Sequence, residues 1–246
     1  MITDILRFVY KNFYTKLIHF INVKSRSVFI IDLFSKDQKL FFVLKQKSLN
    51  HYKKLQIERN ILQLSNKASY VDEKDIKKIS RYLNRSKKTK LDGICMGVRD
   101  NKEVYYFLKY LRKKSRVIGT DISPTIKKFK HGVMWNFNNY NLKWKNKFDF
   151  IYTNSIDHTN DPKKTFNIWL KYVKKDGFIF VDHNTSNGKR RQVKTDPCAI
   201  ETELFPYLIL DWLKEKAAII DFIKPSGFRK ESKRNKILII KKFVNN

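Results

Sequence analysis

In KFDFIYTNSIDHTNDPKKTFNIWLKYVKKDGFIFVDH (residues 147–183), a short apolar run, a polar loop, an amphipathic helix and a second apolar run follow one another without a break. FDFIYTN (148–154) carries the aromatic and β-branched residues that suit a pleated, buried surface, and predicts a strand. Asp161 and Pro162 stand in the order that opens a helix: a capping carboxylate, then a residue with its φ already set and no N–H to satisfy. Phe166, Trp169, Leu170 and Val173 recur at helical spacing and form the core face of that helix. Gly177 is expected to stop it, and FIFVDH (178–183) to supply the next strand. A strand, helix and strand of these lengths make one crossover unit of a parallel sheet.

The same alternation extends upstream. LDGICM leads to Gly97, and Val104, Phe107, Leu108 and Leu111 follow at helical spacing. RVIGTDI (116–122) and GVMWNF (132–137) read as two further strands. Near the C-terminus, AAIIDFIKP and KILIIKKF flank a basic turn and predict an antiparallel β-hairpin. The expected fold is therefore α/β, a doubly wound, mostly parallel sheet closed by that hairpin, over residues 88–246. Residues 1–87 form a basic, mainly helical extension and a substrate cap. Within it, residues 1–25 read as a helix, SVFIIDLF (27–34) as a strand, and Asp72 as the cap of a short helix with Ile76, Ile79 and Leu83 on one face.

Composition narrows the class of protein. With 246 residues, the chain can bury one α/β domain and still carry an appendage. Cys95 and Cys198 are too few for a disulfide scaffold and lack metal-binding partners at short spacing, so a reducing, cytoplasmic location is expected. Arg7, Lys11 and Lys16 interrupt the apolar N-terminus, leaving no run of the ~18 residues a membrane span needs. The formal charge is +30, from 53 basic and 23 acidic residues. Such a field attracts nucleic-acid phosphates or an anionic membrane surface. The excess is mostly lysine spread along the chain beside abundant Asn, Ile, Phe and Tyr, which is also the composition of an A+T-rich coding sequence.

Doubly wound sheets bind ligands beyond the carboxyl ends of their strands, so the residues just after each strand are the candidates. GICMGVRDN (93–101) turns into a helix N-terminus. Asp121 ends the second strand, where an acidic side chain can accept hydrogen bonds from both ribose hydroxyls of a nucleoside. Asn136, Phe137 and Asn138 offer amides and an aromatic face, and Asn154 and Ser155 follow the fourth strand.

In order, LDGICMGVRDNKEV, VIGTDIS, MWNFNN, KFDFIYTNSIDHTNDP and LKYVKKDGFIFVDH resemble the successive motifs of class I S-adenosylmethionine-dependent methyltransferases, over roughly residues 90–183. The resemblance implies a Rossmann-like core, S-adenosyl-L-methionine as cofactor, and methyl transfer to a small or medium-sized acceptor. It brings Gly97 to the cofactor's amino-acid portion, with Gly93, Met96, Arg99 and Asn101 in the same loop region. Asp121 and Ile122 fall at the ribose, Asn136 and Phe137 at the adenine, and Asn154 and Ser155 at the end of the fourth strand. The loop departs from the usual Gly-x-Gly-x-Gly, since Cys95 and Arg99 occupy the outer places and Gly93 stands where an acidic residue is common. Asn101 tolerates the left-handed backbone such a loop requires.

For proton removal His158 is the leading candidate, because imidazole changes charge near neutral pH. Asp157, taken as an exposed carboxylate, is a weaker base, and His183 is held in reserve. Asp157, Asp182 and Asn184 are similar to the magnesium set of catechol-type O-methyltransferases, but His183 breaks the spacing and no metal is assigned. NSID stands where base-amino methyltransferases carry Asn/Asp-Pro-Pro-Tyr/Phe, so a small-molecule acceptor ranks ahead of RNA or DNA. The remaining alternative is a non-catalytic module of the same fold that binds a partner or a membrane surface.

Overall fold

The computed structural model describes residues 41–43, 48–65, 70–183, 196–200, 204–226 and 236–244. The helix and strand expected over residues 1–34, the basic segment 187–194 and Asn184 lie outside these residues. Leu40–Asn246 make one compact unit. Strands β2 (Asp92–Met96), β3 (Arg116–Asp121), β4 (Gly132–Met134), β5 (Phe148–Thr153), β6 (Val173–His183), β8 (Ala217–Ile223) and β9 (Lys236–Lys242) form one seven-stranded sheet in the order β4-β3-β2-β5-β6-β9-β8. The first five run parallel, and β9 joins β6 and β8 antiparallel, as the expected hairpin. A separate antiparallel pair joins β1 (Phe41–Val43) to β7 (Cys198–Ile200).

Helices cover the sheet because its central strands are apolar on both faces. Cys95, Phe150, Tyr152, Phe180, Ile237 and Ile239 point to one side, where α2 (Glu73–Leu83) and α3 (Lys102–Tyr110) bury Ile76, Ile79, Leu83, Val104 and Phe107 against them. The alternating residues Ile94, Ile151, Ile179 and Ile240 are equally buried and face the other way. There α4 (Pro162–Tyr172) meets α5 (Phe205–Leu213) through Phe166, whose ring lies 5.8 Å from Phe205 and 5.9 Å from Trp212. Asp161 caps α4 by accepting from the Lys164 amide at 2.9 Å, and Asp72 caps α2 through Lys74 at 2.8 Å, both as the sequence implies.

Two boundaries differ from expectation. The third strand stops at Met134 rather than Phe137, because Asn136 turns the chain by accepting from the Asn138 amide at 3.0 Å. Gly177 does not end α4. The helix finishes at Tyr172, and β6 begins at Val173 by pairing with Phe148. The polar KKD that follows is an irregularity within β6, with Asp176 at φ 59, before Phe178 resumes pairing with Phe150. At the edge of the sheet remote from the strands' carboxyl ends, Asp149 draws together the Lys88 ammonium (2.5 Å), the Asp92 amide (2.8 Å) and the Lys174 ammonium (3.0 Å).

Candidate active site

The strand order reverses at β2, with β3 and β4 on one side and β5 and β6 on the other. A cleft opens there, outside the carboxyl ends of the strands. Its floor is Gly97 after β2, Asp121 and Ile122 at the end of β3, Asn136, Phe137 and Asn138 after β4, and Ser155 and His158 after β5, with Arg99 at the first turn. The facing wall is α1 (Leu49–Ser65), through Tyr52, Gln56, Arg59, Asn60 and Gln63, which recur on one side of the helix.

The first loop is shaped by contact rather than by a glycine run. Gly97 sits at φ +76, and a Cβ there would fall 2.7 Å from the Ser155 Cβ and 3.3 Å from the Phe137 ring. Only glycine lets the β4 and β5 loops close beneath this turn. The Gly97 and Val98 amides donate to the Thr120 carbonyl at 2.8 and 3.0 Å, and the Ser155 hydroxyl donates to the Gly97 carbonyl at 3.0 Å. Arg99 (φ 36) and Asn101 (φ 60) carry the left-handed backbone that glycines would otherwise supply. Arg99 also lies over the Tyr70 ring at 4.9 Å.

Asp121 is the most enclosed acidic group of the floor, 5% exposed. Its Oδ1 accepts from the Asn60 side-chain amide and the Ser123 backbone, both at 2.7 Å, and its Oδ2 accepts from the Arg99 backbone at 3.0 Å. Phe137 packs edge-on against Trp169, whose indole N–H donates to the Phe137 carbonyl at 3.2 Å. Asn138 joins this loop to the next one, its Oδ1 accepting from the Thr159 and Thr165 hydroxyls at 2.9 Å each.

His158 lies between two carboxylates. Its Nδ1 is 3.5 Å from Asp196 Oδ1 and its Nε2 is 3.9 Å from Asp157 Oδ1. Arg59 pairs with Asp196, and the Tyr52 hydroxyl donates to the His158 carbonyl at 2.9 Å, so α1 anchors the histidine at two points. Asp157 is not the exposed carboxylate expected. Burial pushes its carboxyl above the usual range and the Asp196 charge adds to the rise, while His158 opposes it. Among the described residues, Asp157, His158 and Asp196 are the group that could hold a metal ion, with candidate atoms within 4.8 Å of one another. Arg59 already supplies a cation to Asp196 beside this group.

Several sequence candidates stay out of the cleft. Gly93 lies within β2, where a Cβ would fall 2.1 Å from the Phe150 ring. Met96 is buried with its sulfur accepting from the Thr120 hydroxyl. Asn101 donates to the Lys130 carbonyl at 2.8 Å, and Asn154 donates to Glu103 at 3.4 Å. His183 is fully buried, its Nε2 3.0 Å from the Ile200 carbonyl and its ring beside Phe205. Asp182 accepts from the Tyr152 hydroxyl at 3.0 Å, away from Asp157. Conversely, Tyr52, Gln56, Arg59, Asn60 and Gln63 line the cleft and Asp196 touches His158, and none of these was foreseen. The first five do recur at helical spacing, but as a polar stripe, which a search for apolar periodicity passes over.

No protein-family model and no curated protein matches the sequence. Solved structures match the fold. The 1,6-didemethyltoxoflavin-N1-methyltransferase of Burkholderia thailandensis, bound to 1,6-didemethyltoxoflavin and S-adenosylhomocysteine, superposes with a TM-score of 0.57 at 12% identity, over 82% of this chain and 94% of that one. The plantazolicin methyltransferase BpumL, in complex with a triazolic desmethylPZN analog and S-adenosylhomocysteine, gives 0.55 at 14% identity over 80% and 100%. A putative methyltransferase in complex with the Haloferax volcanii Trm112 activator gives 0.53 at 9% identity over 78% and 96%. The chain has the Rossmann-like fold of class I S-adenosylmethionine-dependent methyltransferases. Among the described residues, no helix is long and apolar enough to cross a membrane.

Proposed function

We propose that this protein is an S-adenosylmethionine-dependent methyltransferase acting on a small or medium-sized acceptor. The observation that carries the reading is the assembly, at the switch point of the sheet, of a buried carboxylate (Asp121), an aromatic ring (Phe137) and a glycine turn (Gly97) around one cleft. Each fits a part of the cofactor: Asp121 the ribose, Phe137 the adenine face, and the backbone at Gly97, where a Cβ would fill the space, the amino-acid end. When bound, that cofactor supplies an electrophilic methyl group on a sulfonium.

The protein's own task is to place an acceptor atom in line and to take its proton. His158 serves as the base, with Asp196 orienting Nδ1 and Arg59 holding Asp196 in place. Tyr52 and Gln56 on α1 shield this end of the cleft from water, so the helices before Lys88 act on the acceptor side as well. Titration calorimetry with S-adenosylmethionine and S-adenosylhomocysteine tests the reading. Asp121→Ala should weaken both by about 1.5–3 kcal/mol, the range for hydrogen bonds to a charged group. Unchanged affinity in a folded variant removes Asp121 from the site.

The charge of +30 supports a second reading, in which the acceptor is a nucleic acid. Binding to RNA or duplex DNA that falls steeply with salt, together with methylation of that nucleic acid, would favour it.

A further inference from the structure

We propose that Asn60 is a cofactor-binding residue and that Asp121 and Asn60 together form the clamp for the ribose diol, one hydroxyl on each. The inference rests on the cofactor reading given above and follows from counting donors and acceptors.

Asp121 already accepts three hydrogen bonds, from Ser123, Arg99 and Asn60. A carboxylate has room for about four. A ribose diol brings two donors, so Asp121 can take one hydroxyl without losing a partner, and the second needs another acceptor. The two backbone donors are fixed in place. Ser123 caps the turn at Pro124–Lys128, and Arg99 lies in a left-handed turn held by the Val98–Thr120 hydrogen bond.

Asn60 supplies the missing acceptor. It is 8% exposed, it lines the cleft, and its Nδ2 is spent on Asp121. Its Oδ1 is buried with no hydrogen-bond partner. A buried carbonyl without a donor costs free energy that a bound hydroxyl would recover. The hydrogen bond to Asp121 also fixes the flip of the amide: the N–H faces the carboxylate, which leaves the oxygen as the acceptor. Helix α1 therefore contributes to nucleoside recognition beside the strand-end residues, and it carries Asn60 one turn beyond Gln56 and two turns beyond Tyr52.

The test compares wild-type protein with Asn60→Ala and Asn60→Asp, using S-adenosylhomocysteine and its 2′-deoxy and 3′-deoxy analogues in titration calorimetry. Asn60→Ala should weaken S-adenosylhomocysteine by roughly 3- to 10-fold, the value of one neutral hydrogen bond. Asn60→Asp should weaken it further, because a second carboxylate then faces Asp121. With one of the two deoxy analogues the difference between wild type and Asn60→Ala should vanish, since the hydroxyl that Asn60 receives is absent. Both analogues should bind wild-type protein less tightly than the parent, a comparison that needs no variant to fold. Equal or tighter binding of S-adenosylhomocysteine by Asn60→Ala overturns the clamp alone and makes Asn60 a competitor for Asp121. Failure of wild-type protein to bind S-adenosylhomocysteine at all overturns the cofactor reading, and the clamp with it.

Discussion

Glu103 stands on the first turn of α3, only 4% exposed, with Oε2 buried and unpartnered and Oε1 reached by Asn154 at 3.4 Å. Burial, reinforced by the Asp100 charge, pushes its carboxyl from 4.5 up to about 8. The folded chain then keeps a proton that the unfolded chain gives up near 4.5, so this contribution to stability is full below that value and is lost as pH rises through about 8. Glu103→Gln should therefore gain stability over wild type by a few kcal/mol at about pH 9 and far less at about pH 5. Thermal melts at the two pH values check it, and equal differences would place the proton elsewhere. The two histidines separate in the same way. His158→Ala should leave S-adenosylhomocysteine affinity intact while turnover falls by roughly 10²–10⁴-fold. His183→Ala, emptying a fully buried site beside Phe205, should lower the melting temperature instead. A sequence could place both residues after strands, but it could not show that one faces a cleft and the other a helix. That depends on which side of the sheet β7 and α5 cover.

At the scale of elements, Gly93 shows how a loop expectation becomes a packing fact. Its Cβ position is filled by the Phe150 ring across the β2–β5 pair. Gly93→Ala should cost about 1–3 kcal/mol or more by overpacking, and Phe150→Leu in the same chain should recover part of it. Denaturant midpoints for the single and double variants measure the recovery, and independent losses would mean the two residues do not compete for that space. The strands and capped helices were legible because apolar runs and Asp-Pro or Asp-x-Lys openings are local signals. The start of β6 was not, because Lys174, Lys175 and Asp176 are polar and Val173 joins the sheet only through its pairing with Phe148. Helix α1 escaped for a related reason. Its informative face binds other polar groups of the cleft, and those partners, Asp121 and Asp196, lie 61 and 137 residues away in sequence.

Across the whole molecule, a charge of +30 on 246 residues leaves a large excess of like charges to repel one another. Self-repulsion of this kind destabilises the compact state and is screened by salt. The melting temperature should rise between about 20 mM and 0.3 M sodium chloride, where the Debye length shrinks from tens of ångströms to several. A flat or falling profile would mean that ion pairs such as Lys88–Asp149 outweigh the net repulsion.

The order of the last strands also matters for how the chain is made. β9 is inserted between β6 and β8, although β8 precedes it in the sequence. On a ribosome, β8 can emerge with no neighbour to join, and the outer edge of β6 stays open until Lys236–Lys242 arrives. A nascent chain paused in that interval presents an unpaired strand edge, the surface on which chains cross-associate. Slowing synthesis through the basic segment before β9 should therefore lower the yield of folded chain without changing the stability of the finished fold.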